Sequence, residues 1–221
     1  MSDPGEVARA VREALGSLAR APEGGLAARF TAPLVTAIVA EAVDDARLVP
    51  ALAEVSSALE RVGVPRGRQF VLLGHDGAAS APDVRARAAQ LRRTLSLAAF
   101  AHEPDGATFT AGRAGDGTPL ELDDELREAE GVLCMGRGFA AAGRVVGGPY
   151  LLVPGVASAR TRLALAGARA RGGERAALEL ALAAEVALPV DLAVCWDEQG
   201  RVVAGRGRER FAALARAAGF A

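Results

Sequence analysis

Few residues in this chain have side chains suited to chemistry, and most of them fall at predicted strand ends. His75 directly follows the apolar run Phe70-Val71-Leu72-Leu73-Gly74 and precedes Asp76. A histidine at a strand end can act as a general acid or base, because its proton exchanges near neutrality. It can equally be a turn histidine whose ring bonds to backbone, and position alone leaves the two open. Asp44 and Arg47, three residues apart, follow another apolar run. At the carboxyl edge of a parallel sheet such a pair could hold a carboxylate or phosphate. An ion pair on a loop is the commoner meaning of that spacing. His102, in Ala101-His102-Glu103-Pro104, reads as a loop histidine.

Gly136-Arg137-Gly138-Phe139-Ala140-Ala141 gives a shortened dinucleotide pattern, GxGxxA, after a strand. That pattern should open a helix, yet Val145-Val146-Gly147-Gly148-Pro149 interrupts it within two turns. No acidic residue stands where a ribose contact belongs. A nucleotide site is therefore a weak expectation.

The elements that must position these residues follow from hydrophobic spacing. Val7, Val11, Leu15 and Leu18 predict an amphipathic helix over 4–20, with Asp3-Pro4 at its start. An apolar run over 33–43 predicts a strand, with its alanines leaving a helix open; 50–62 predicts a helix, 70–73 a strand, 81–93 a helix capped by Ser80, and 95–100 a strand. This β-α-β-α-β order predicts a mainly parallel sheet covered by helices. Segments 107–111 and 119–122 predict a small hairpin insertion, and 131–135 a buried strand. Two helices, about 157–170 and 173–186, are predicted to break at Gly172-Gly173. A hairpin over 190–204 and a helix over 207–218 close the chain. The fold class expected is α/β, with a mostly parallel Rossmann-like sheet. Residues 1–33 are expected to form an N-terminal helix and linker, and 34–221 the main domain.

Composition narrows the function classes. The chain has 221 residues, enough for a substantial core, and a net charge of −1. All 26 basic residues are arginine, and no basic stripe is interleaved with aromatics. That argues against nucleic-acid binding. The arginine-rich segments 85–93 and 159–175 read as solvated helix faces. Cys134 and Cys195 sit in predicted buried strands without CxxC spacing, so zinc and redox-pair chemistry gain no support. No signal-type apolar run opens the sequence, and none is long enough to span a membrane. A reduced, cytoplasmic protein is the expectation.

Taken in order, these segments resemble the N-terminal domain of the nickel-pincer lactate racemases, over about 34–218. Asp44…Arg47 resembles the family's D-x-T-R element, with Ala46 at the threonine. Leu72-Leu73-Gly74-His75-Asp76-Gly77 resembles its G-T-H-R turn. Residues 101–136 resemble an N-H-D-like turn leading to a G-T-P-V hairpin and a strand. Residues 136–155 resemble G-x-x-x-P-H-x-x-x-G-x-S-G-G-x-K-x-x-x-P-G, and 190–214 the closing hairpin and helix.

The resemblance implies a lysine-tethered, nicotinate-derived cofactor holding nickel, and histidines that move a proton or assist hydride transfer. It also implies a C-terminal domain, with the site in the cleft between the two domains. Here Tyr150 stands at the lysine and Ala140 at the Pro-His histidine, no histidine follows His102, and no segment corresponds to the C-terminal domain. A phenol cannot form the thioamide tether. The expectation is a degenerate homologue that binds a small hydroxy acid or phosphorylated ligand. His75 is the candidate catalytic residue, and Asp44, Arg47, Gly147, Gly148 and Tyr150 are the candidate binding residues, with no metal site and no cofactor. One alternative is an active 2-hydroxy acid racemase or epimerase, an isomerase, completed by a partner subunit that supplies the missing lobe. Only then would the nickel-pincer nucleotide be carried. A non-enzymatic interaction module is the other alternative.

Overall fold

A computed structural model describes residues 3–19, 26–30, 34–42, 45–75, 80–141 and 143–220. Strands β1 (Thr36–Glu41), β2 (Gln69–Gly74) and β3 (Ala98–Ala101) alternate with helices α3 (Leu48–Arg61) and α4 (Ala81–Leu95). Helices α1 (Pro4–Ala19) and α2 (Leu26–Arg29) precede them. A hairpin of β4 (Thr108–Arg113) and β5 (Pro119–Asp123) follows, then β6 (Gly131–Ala141) and β7 (Arg144–Gly147). Helix α5 (Ala159–Ala187), strands β8 (Leu192–Trp196) and β9 (Val202–Gly205), and helix α6 (Gly207–Ala217) complete the order.

The main sheet runs β3-β2-β1-β6-β8-β9. The first five strands are mutually parallel, and β9 turns back antiparallel on β8. Central strand β1 is buried on both faces, as a parallel strand between helical layers must be. Ile38 and Ala40 point to one side with Leu52, Leu59, Val71 and Leu91, so α1, α3 and α4 cover that face. Ala37 and Val39 point to the other, with Leu120, Cys134, Leu151, Leu178 and Phe211. The β4–β5 hairpin, α5 and α6 cover this second face. Helix α1 is part of the body: Val7, Val11 and Leu15 are buried in the first cluster.

Local signals account for the element ends. Ser80 Oγ accepts the Asp83 N–H, and Pro82 lies in the first turn of α4. Ser158 Oγ does the same for α5 through the Thr161 N–H. Helix α5 breaks at Gly173, whose φ of 68° and ψ of −160° no helix accommodates. The strand expected from residue 95 starts later, because α4 runs to Leu95 and Ser96 caps it in the left-handed region. Among the described residues no helix is long and apolar enough to cross a membrane.

The segment after Met135, read from the sequence as a loop, is a strand. Gly136–Ala141 does not form a phosphate loop opening a helix. It is the second half of β6, paired antiparallel with β7 in a hairpin. Gly138 serves packing, since a Cβ there would lie 2.6 Å from Cys195 Sγ. Without a helix N-terminus, the dinucleotide reading has nothing to bind a pyrophosphate.

Candidate functional site

The carboxyl ends of β1, β2 and β6 open into a cavity of about 380 Å³. The 3₁₀ turn Gly148–Leu151 and the first half of α5 close it from the second face. Strand β2 can end against the 154–156 turn because Gly74 has no side chain; a Cβ would stand 2.6 Å from the Gly155 carbonyl oxygen. His75 then leaves the strand with its N–H donating to that carbonyl at 3.0 Å. Its own carbonyl accepts from Arg162 Nη2 at 2.9 Å. This mostly buried histidine lines the cavity.

Two ion pairs shape the walls. Arg137 on β6 grips Glu41 at the end of β1 through two contacts, 2.7 and 3.1 Å. Across the cavity, Tyr150 Oη donates to Glu174 Oε1 at 2.6 Å, and Arg169 Nε meets Glu174 Oε2 at 3.1 Å. The Arg169 guanidinium also sits 5.7 Å from the Tyr150 ring centroid. Arg169 and Glu174 flank the Gly173 break, so the ion pair joins the two halves of α5. Burial, and then the Glu174 carboxylate, push the Tyr150 phenol well above its ordinary value of 10. The phenol is therefore neutral, with its proton committed to Glu174. Arg144 also lines the cavity, and among the described residues it has no ion-pair partner. Its positive charge is left over once Arg137 and Arg169 are matched by Glu41 and Glu174.

The structure thus brings His75, Gly147 and Tyr150 together around one cavity. Gly147, at φ 61° and ψ −140°, lets β7 turn into the 3₁₀ segment. Gly148 is a packing residue beside the cavity, where a Cβ would meet Leu214 Cδ1 at 2.8 Å. Asp44 lies outside the described residues. Arg47 is elsewhere: it is bonded bidentately to Asp45 at 2.8 Å, reaches the Asp197 carbonyl at 3.3 Å, and does not line the cavity. Trp196 Nε1 donates to the same Asp45 carboxylate at 3.3 Å. Arg47 therefore ties the ends of β1 and β8 together.

Sequence reasoning missed Arg137, Arg144, Arg169, Glu41 and Glu174. Their pairings span up to 96 positions, and no local pattern announces them. His102, read as a loop residue, is fully buried between Asp123 and the Ala157 carbonyl. Cys134 and Cys195 are buried free thiols, as expected. Among the described residues no group of three or more His, Cys, Asp or Glu side chains could hold a metal ion. A larger groove of about 820 Å³ runs along the β3 edge, walled by both arginines and carboxylates. It contains neither histidine, and it runs along the sheet's β3 edge rather than opening at the carboxyl ends of the central strands β1 and β6.

No protein-family model matches the sequence. Chaperonin GroEL 3 of Frankia casuarinae is 37% identical over 108 residues, 45% of this chain and 20% of that protein. Among solved structures, the lactate racemase apoprotein from Thermoanaerobacterium thermosaccharolyticum superposes with a TM-score of 0.67 at 15% identity. The match covers 93% of this chain and 54% of that one. A crystallised protein from Thermotoga maritima gives a TM-score of 0.54 at 12% identity, over 98% of this chain and 58% of the other. The fold is thus lactate racemase-like. The chain spans a fifth of the chaperonin's length and somewhat over half of each structural neighbour.

Proposed function

We propose that this chain is a degenerate lactate racemase-like domain that binds a small organic anion, a hydroxy acid or a phosphorylated ligand. The ligand would occupy the cavity at the strand carboxyl ends. The observation that carries this reading is the cavity's charge balance. Among the described residues two arginines are matched by glutamates and Arg144 is in excess, beside His75 and a neutral phenol. Arg144 supplies the charge that selects an anion, and His75 is placed to bond a hydroxyl or exchange its proton. Tyr150, with its O–H donating to Glu174, offers its oxygen as an acceptor.

The residues present do not fit a lysine-tethered nickel-pincer cofactor. The sequence contains no lysine, and the phenol at the equivalent position is bonded to Glu174. His75 is the one imidazole at the cavity, whereas nickel favours several nitrogen or sulfur donors.

Thermal-shift measurements with lactate, glycerate and phosphoglycerate test the reading. A ligand at about 100 times its dissociation constant adds roughly 2.7 kcal/mol. The expected result is stabilisation of the wild type that Arg144→Ala abolishes. Equal shifts in both proteins, or none in either, would refute the site.

A further inference from the structure

His102 takes no part in the cavity, yet its ring is the most completely engaged imidazole in the chain. Nδ1 lies 2.6 Å from Asp123 Oδ2, and Nε2 lies 2.9 Å from the carbonyl oxygen of Ala157. The ring is fully buried. A neutral imidazole carries one N–H and one lone pair, so it can donate to only one of these oxygens. The other would then face a lone pair in a site closed to water, which forfeits a hydrogen bond and adds repulsion. The Ala157 carbonyl has no proton to offer. Asp123 already acts as an acceptor through Oδ1, which takes the Glu125 N–H at 3.0 Å.

We infer that His102 is held as an imidazolium donating from both nitrogens, and that this charged ring is a latch between three segments. It joins the end of β3 and the end of β5 to the turn that precedes α5. That turn carries Gly155, whose carbonyl accepts the His75 N–H, so the latch ends at the cavity wall.

The groups around the ring come from several elements. On β5, Asp123 is its direct charged contact. Asp124 and Glu125 follow on the 3₁₀ turn, with Asp124 paired to Arg127. Glu103, next in the chain, is paired to Arg85 of α4. Glu121 of β5 is shared between Ser158 Oγ and Arg160. The cation nearest the latch is Arg162 of α5, whose Nε donates to the same Ala157 carbonyl at 3.0 Å. Arg162 opposes a second positive charge, and the Asp123 carboxylate in direct contact favours it. While the ring carries both protons, both bonds hold. Losing either proton would leave one acceptor without its donor.

The test is ring 1H–15N correlation NMR of the full chain at pH 7. The sequence has two histidines, so two ring systems appear, and His75→Gln assigns them. The expected result is a His102 ring with protons on both nitrogens. A second spectrum is taken of the Asp123→Asn variant at the same pH. With the charged acceptor gone, its His102 ring should carry a single N–H. A wild-type His102 ring with one unprotonated nitrogen at pH 7, or a ring that keeps both protons in Asp123→Asn, overturns the inference.

Discussion

Replacing Gly147 by alanine tests how the cavity wall is built. Gly147 sits at φ 61° and ψ −140°, a conformation open almost only to glycine. Forcing an L residue into such a region costs about 1–3 kcal/mol. The new Cβ would also stand 1.8 Å from the Arg137 carbonyl oxygen. Both groups are backbone, so neither can rotate away. Relief requires opening the Gly138–Gly147 pair where β6 and β7 join, at about 1 kcal/mol for each hydrogen bond lost. The total is about 3 kcal/mol. For a chain of this size 1 kcal/mol moves the melting temperature by roughly 2–4 °C, so a fall of about 6–12 °C is expected. Gly143→Ala is the control. Its φ is 67°, but nothing lies within 4 Å of a Cβ there. Only the conformational cost of about 1 kcal/mol applies, partly offset by reduced freedom in the unfolded chain. Differential scanning calorimetry reads both. If the two variants melt together, the close approach of β7 to Arg137 is not as described.

Further expectations follow from the buried groups. Tyr150 is the chain's single tyrosine, and burial and then Glu174 push its phenol upward. Ultraviolet titration should show no phenolate in the folded protein at pH 10.5, and phenolate there would contradict the Tyr150–Glu174 bond. Burial raises the Cys195 thiol to about 11 and the Cys134 thiol upward as well. Both should react with a disulfide reagent at pH 8 only as the protein unfolds. Fast labelling of either under native conditions would refute their placement. Burial opposes charge on Asp45, yet Arg47 and the Trp196 N–H outweigh it and hold the carboxyl below its ordinary 3.8. A depressed folded value means stability present above the unfolded value and lost as pH falls through the folded one. Asp45→Asn should therefore weaken the protein at neutral pH and flatten its acid dependence below about pH 4. An unchanged acid limb would count against the Arg47 pairing.

The layered α/β architecture was legible because apolar runs and helical spacing are local signals. Val7, Val11 and Leu15 mark α1, and Gly172-Gly173 marks the α5 break. The run beyond Met135 was not legible. Gly136 and Gly138 read as loop glycines, but they continue β6, where Gly138 makes room for Cys195. Arg47 was grouped with Asp44, which lies outside the described residues; the carboxylate it bonds is Asp45, a neighbour that the three-residue spacing did not single out. His75 was found because the chain itself places it at a strand end. The cavity's ion pairs and the His102 contacts join distant segments, which only the folded chain brings together.

Native mass spectrometry of protein purified from its own host tests the central claim most directly. The account predicts a mass equal to that of the bare polypeptide, with no nickel. It also predicts a reversible one-to-one adduct with a small organic anion that Arg144→Ala fails to form. A covalent pyridine-type adduct carrying nickel would contradict it.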